Sequence, residues 1–224
     1  MNPCARPVGP HAAPGPLPDK RMKIMSRLRS HWIALLLILP LAAMAAHGAP
    51  LSPKQQVKVT VDQILSILKD PALDWAERQR RIGPIVDKGF DFRSMSQSVL
   101  STHWRKADPA EQRRFVQYFS EYLESTYLEK ARHYSGEYVR YGKEKIRGDK
   151  ALVETFIVTR DKEIPVNYKL HRGPDGQWRA YDVEIEGVSL VSNYRSVYSS
   201  IIKSEGMAGL LNDLEDQVRQ QKVH

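Results

Sequence analysis

From residue 52 to about residue 133, apolar positions return every three or four residues. That spacing predicts helices. Ser52-Pro53-Lys54-Gln55 reads as an N-cap, a proline at the first helical position and a capping-box partner. Val57, Val61, Ile64, Leu65 and Leu68 then form one apolar stripe, and Pro71 ends it. Asp74-Trp75-Ala76-Glu77 opens a second helix carrying Ile82, Ile85 and Val86. Gly83-Pro84 should break or kink that helix. Phe92, Met95, Ser96 and Val99 predict a short third helix. Asp108-Pro109-Ala110-Glu111 is another capping box and opens the longest helix, roughly 109–133, about 35 Å long. Phe115, Phe119, Tyr122 and Thr126 share one side of it, with Val116, Leu123 and Tyr127 beside them.

The period then changes from 3.6 to 2. Tyr138–Ile146, Ala151–Thr159, Glu163–Leu170 and Gln177–Ile185 predict four strands separated by short polar turns, an antiparallel meander. Helical spacing returns at Val191, Tyr194, Tyr198 and Ile201. It resumes at Met207, Leu210, Leu211, Leu214 and Val218, with Gly206 between the two runs. Helices, then a four-stranded antiparallel sheet (about residues 137–186), then helices make an α+β fold with the helices on one face. A curved sheet backed this way forms a cone whose mouth suits an apolar ligand. Periodicity leaves open whether the cone is hollow.

Composition changes the picture mainly at the N-terminus. Residues 1–20 hold six of the 14 prolines and the single cysteine, Cys4. Arg21, Lys23, Arg27 and Arg29 follow, then the apolar run Trp32–Ala46, then small residues. That order is a secretory signal, and the run is shorter than the ~20 residues a membrane span needs. Cleavage after Ala46 or Gly48 and a translation start at Met22 or Met25 are expected. The chain thus divides into residues 1–48, an extension plus signal, and residues 49–224, one domain. The whole chain carries +8. Residues 1–48 hold six bases and one acid, which leaves 28 bases, 25 acids and a charge of +3 for the rest. A nucleic-acid partner loses its electrostatic support at that charge.

The search for chemistry returns little. His103, His133, His171 and His224 lie far apart, with no metal-ligand spacing. No nucleophile elbow and no phosphate-binding glycine loop occurs. Asp182, Glu184 and Glu186 alternate along one strand. They form either a solvated face or, if they point into the cone, an acid–base pair.

One segment is distinctive. Trp178-Arg179-Ala180-Tyr181-Asp182-Val183-Glu184-Ile185-Glu186-Gly187-Val188-Ser189-Leu190, followed by Asn193-Tyr194-Arg195, resembles the MlaC family of periplasmic phospholipid-binding proteins, also called the toluene-tolerance family. Asp91-Phe92-Arg93, Tyr134-Ser135-Gly136 and Gly148-Asp149-Lys150 add to the likeness, which runs over about residues 53–220. The resemblance implies a cone related to nuclear transport factor 2, with added helices and an apolar cavity for the acyl chains of a glycerophospholipid. It implies a carrier in the periplasm, not an enzyme. The lipid would be cargo, with no cofactor and no metal. The expected partners are an inner-membrane ABC transporter with an MCE-domain ring and an outer-membrane lipoprotein–porin complex. The implied role is outer-membrane lipid asymmetry, with a monomer as the working unit.

For the cavity wall, the resemblance points to Val183, Ile185, Val188 and Leu190. Patterning adds Ile157, Val166 and Tyr168 on strands, and Leu100, Trp104, Phe119 and Leu123 on helices. Each of the added residues is open between cavity wall and closed core. Val188 follows Glu186-Gly187 at the strand exit and is expected against the acyl chains. A pocket of roughly 1,000 Å³ would shield both chains. Two rivals stay open: an enzyme on the same cone using Asp182 or Glu184, and an adaptor with a solid core.

Overall fold

A computed structural model describes residues 50–132 and 136–223. They belong to the compact unit Gly48–His224. The signal-like segment, its cleavage site, His133, His224 and the Tyr134-Ser135 part of the family likeness lie outside the described residues. Among the described residues there are five α-helices: α1 (Pro53–Lys69), α2 (Trp75–Gly89), α3 (Phe92–Leu100), α4 (Pro109–Arg132) and α5 (Leu190–Val223). No helix among the described residues is long and apolar enough to cross a membrane.

Local chemistry explains the helix starts. The Ser52 hydroxyl accepts from the Gln55 amide, and the Gln55 side chain accepts from the Ser52 amide at 2.9 Å. Asp108 and Glu111 form the same reciprocal pair at 2.9 and 2.8 Å, which satisfies amides that the first turn leaves free. Asp74 caps α2 only in one direction, because the Glu77 carboxylate turns to Arg80 and Arg81 instead. Gly83-Pro84 does not break α2, which stays helical from Trp75 to Gly89. A proline normally disfavours helical backbone before it by pressing on the preceding Cβ, and Gly83 has none. Gly206, at φ 77°, interrupts α5 where the two runs were expected to part.

The sheet has one strand more than the pattern showed. β1 (Tyr138–Arg147), β2 (Lys150–Val158), β3 (Glu163–Arg172) and β4 (Trp178–Ile185) are joined by β5 (Val188–Ser189). Their order is β1-β2-β3-β4-β5, antiparallel throughout. β5 is too short for alternation to be visible. Its turn, Glu186 at φ 49° and Gly187 at φ 84°, is the doubly left-handed turn that suits a two-residue hairpin.

Register fixes the two faces. Val153, Tyr168 and Val183 stand opposite one another, as do Thr155, Val166 and Ile185. They share the inner face. Glu154, Asn167 and Glu184 align on the other face, with Leu152, Lys169 and Asp182 beside them. Among the described residues the apolar interior is not one body but three clusters. The helical cluster joins α3, α4 and α5 around Phe115, Phe119 and Leu214. A second lies between α1 and the sheet, around Val57, Val153 and Trp178. The third joins α1, α2 and α4 through Leu68, Ile82 and Leu128.

A buried carboxylate ties the sheet to α5. Asp182 is 5% exposed. It accepts from Lys169 Nζ at 2.9 Å, from the Ser189 hydroxyl at 2.8 Å and from the Val191 amide at 3.2 Å. Hydrogen bonds to a charged group contribute about 2 kcal/mol net. Asp182→Ala should therefore lower the urea midpoint by the equivalent of about 2 kcal/mol with an unchanged slope, and Asp182→Asn by less. A midpoint unmoved in Asp182→Ala would show that the junction does not depend on this group.

An apolar hollow as the candidate functional site

The three clusters meet without closing, and a hollow of about 290 Å³ remains between them. Its wall draws on each: Met95 and Leu123 from the helical cluster, Val57 and Ala180 from the sheet cluster, Ile82 and Leu128 from the third. α1 contributes Val61 and Ile64, α2 contributes Val86, and the inner sheet face closes the far side. A Cβ placed on Gly89 would sit 3.1 Å from the Thr60 methyl group, so this side of the wall is already tight at glycine. The chain between α2 and α3 runs along β4: Phe90 forms a parallel bridge with Ala180, and the Asp91 amide donates to the Ala180 carbonyl at 2.9 Å. This brings Phe90 and Phe92 to the wall.

Ile157, Val166, Tyr168, Val183, Ile185, Leu190 and Leu123 all line the hollow. Leu100 and Phe119 do not. They are 1% and 0% exposed and fill the helical cluster. Trp104 packs half-buried against that cluster, under the Arg93 guanidinium. Val188 is 57% exposed and outside the wall. Its pairing with Ile185 puts it on the same face of the sheet, but it stands on the two-residue edge strand β5, beyond the reach of the wall that Ile185 lines. The α1 and α2 side chains were legible as amphipathic stripes, but a stripe does not show what lies opposite it.

The wall is nearly all hydrocarbon. Its polar side chains are Gln56, Thr60, Glu124 and the phenols of Tyr127 and Tyr168. Among the described residues no lysine, arginine or histidine lines it. Burial pushes the Tyr168 phenol up to about 12. The surface this tyrosine keeps open faces the hollow rather than bulk water. Burial also raises the Glu124 carboxyl, and the nearby carboxylates of Asp87 and then Glu121 add to it. Asp182 and Glu184 sit on the opposite sheet face, bridged by Lys169 at 2.9 and 3.7 Å. The pair on which an enzyme reading would rest does not reach the hollow. Among the described residues no group of acids, histidines or cysteines is arranged to hold a metal ion. The His171 ring instead meets Asp91 at 2.8 Å.

Comparison with known proteins gives a consistent picture. The family model for MlaC protein matches residues 58–216. The intermembrane phospholipid transport system binding protein MlaC of Haemophilus influenzae is 22% identical over 127 residues, which is 54% of this chain. The chain spans only 59% of that relative's length. In three dimensions it is similar to the phospholipid-binding protein from Ralstonia solanacearum solved in complex with a phospholipid. The TM-score is 0.68 at 23% identity, over 77% of this chain and 99% of that one. That likeness shows the shared fold.

A phenol kept protonated beyond its ordinary range stabilises the folded state at neutral pH. The contribution is complete below about pH 10 and is lost as pH climbs through about 12. Ultraviolet difference titration of Tyr168→Phe should therefore lose one phenol from the class ionising near 12 and none from the class near 10. Loss from the ordinary class instead would mean that water reaches Tyr168 freely.

Proposed function

The chain belongs to the MlaC family, and from that premise we propose that it carries a phospholipid, with acyl chains in the hollow and the headgroup outside. The observation that supports this most is the hollow itself: hydrocarbon walls enclosed by one chain, with the sheet's catalytic-looking carboxylates on the other side.

Energetics explain why such a device is required. Each buried CH₂ contributes ~0.8 kcal/mol, so two tails of about 15 methylenes favour oil over water by about 24 kcal/mol. A free lipid cannot cross an aqueous gap against that difference. Between a bilayer and an apolar pocket the difference nearly vanishes, so transfer needs neither catalyst nor nucleotide on this chain. Direction then comes from whatever docks at each end. The family reading supplies the periplasm as the aqueous gap. It also supplies an inner-membrane ABC transporter with an MCE-domain ring and an outer-membrane lipoprotein–porin complex as the docking sites. Outer-membrane lipid asymmetry is then the outcome.

The observed volume sets a condition. About 290 Å³ lies at the lower edge of ligand sites, roughly 300–1,000 Å³, and well short of the roughly 1,000 Å³ expected for two tails. Loading therefore requires the walls to part. α1 is held to β1 by the Glu144 carboxylate on the Lys54 amide at 2.9 Å and by the Tyr141 hydroxyl on Asp62 at 2.8 Å. Those ties lie along the β1 edge. The side of α1 that meets α2 and α4 is joined to them mainly by the apolar contacts of Leu68, Ile82 and Leu128, with one polar tie, the Arg78 guanidinium donating to the Asp70 carbonyl at 2.8 Å just past the end of α1. Sliding apolar surfaces can separate and be re-covered by lipid tails at little net cost, because hydrocarbon replaces hydrocarbon.

Mass spectrometry of solvent extracts from freshly purified protein tests the proposal. The wild type should release intact phospholipid. Ile185→Glu puts an added carboxylate on the wall and should reduce lipid recovery about tenfold or more. Val188→Glu, exposed on the edge strand beyond the wall, should leave recovery unchanged. Extracts free of phospholipid, or equal loss in both variants, would contradict it.

A further inference from the structure

We propose that Glu124 couples lipid loading to proton uptake, its carboxyl being neutral when acyl chains occupy the hollow and ionised when they leave. This inference rests on the carrier reading above. It starts from a placement that a lipid pocket does not need. Glu124 is the only carboxyl in the wall among the described residues, on α4 between Leu123 and Tyr127. Its Oε1 occupies a niche in α2 that exists because residue 83 is glycine: a Cβ there would stand 2.8 Å from this oxygen. No hydrogen bond or ion pair to Glu124 occurs among the described residues.

Every charged group that acts on Glu124 opposes its ionisation. α2 presents Asp87 and its own helix presents Glu121, both acidic. The wall around it offers only neutral polar groups, Gln56 and Thr60 from α1, Tyr127 from α4 and Tyr168 from β3. With the hollow empty, water can enter and solvate the anion. Acyl chains remove that water, and an unpaired anion against hydrocarbon is strongly disfavoured. The neutral acid is not. Lipid therefore binds the protonated protein better, and linkage requires that loading take up a proton wherever pH lies between the empty and loaded values. Affinity is full below the empty value and declines as pH rises above it, by at most tenfold per pH unit for one proton.

The test is binding of a fluorescent phosphatidylcholine analogue to the delipidated full domain from about pH 5 to about pH 8, with proton uptake followed in weak buffer. The wild type should lose about tenfold or more in affinity across that range and take up as much as one proton per lipid. Glu124→Gln should bind tightly with a flat profile and no uptake. Asp87→Asn, which removes a carboxylate that opposes ionisation of Glu124, should keep the slope and move the midpoint to lower pH. A wild-type profile without slope, or the same slope in Glu124→Gln, overturns the inference while leaving the carrier intact. If neither protein binds lipid at any pH, the carrier reading falls and takes this inference with it.

Discussion

The structure depends on an interior that stays divided. Three apolar clusters, each well packed around large side chains such as Phe115, Trp178 and Ile82, do not merge. A filled interior is the norm, and each unfilled volume forfeits dispersion contacts and favours collapse. The separation persists because the elements around it are pinned elsewhere. Asp182 fixes the start of α5 to β3 and β4, Tyr141 and Glu144 fix α1 to the sheet edge, and Phe90 and Asp91 lie along β4. Polar ties at the rim thus hold apart surfaces that would otherwise close. The hollow is the consequence of where those ties sit.

From that constraint the chemistry of the site follows. Walls of hydrocarbon favour a ligand that water rejects, and the absence of cations in the wall among the described residues gives no foothold to an anionic headgroup inside. The polar exceptions gather on α4 and its neighbours. Tyr127 meets the hydroxyl of Tyr194, whose phenol is pushed up by burial and then by Tyr122 and Tyr127. The aromatic rows of α4 and α5, with Phe119 and Tyr194 edge to face at 5.4 Å, make one side of the wall stiff. The opposite side, built from α1 and α2, relies on aliphatic contacts. A stiff side and a yielding side suit the proposed carrier, whose pocket would accept long tails and release them.

Much of this was legible before any coordinates. Capping chemistry is local, so Ser52 with Gln55 and Asp108 with Glu111 marked helix starts that the structure keeps. Alternation placed Val166, Tyr168, Val183 and Ile185 on one sheet face. What stayed hidden depends on contacts distant in sequence. Leu123 and Phe119 lie four residues apart on one helix, yet Leu123 borders the hollow and Phe119 fills a closed core. Burial looks the same from the sequence in both cases. Val188 read as inward because the chain was taken to run on toward a helix. A two-residue edge strand folded back by Glu186-Gly187 carries it past the wall instead. Gly83 looked like a breaker with Pro84, whereas the lack of a Cβ both keeps α2 helical and makes room for Glu124.

The most direct measurement is a crystal structure of the protein purified without delipidation. Continuous tubular density between the inner sheet face and α1 and α2, with those helices drawn apart to a volume well above 290 Å³, is the expected result. Walls closed on one another around an empty space of the present size would contradict the account.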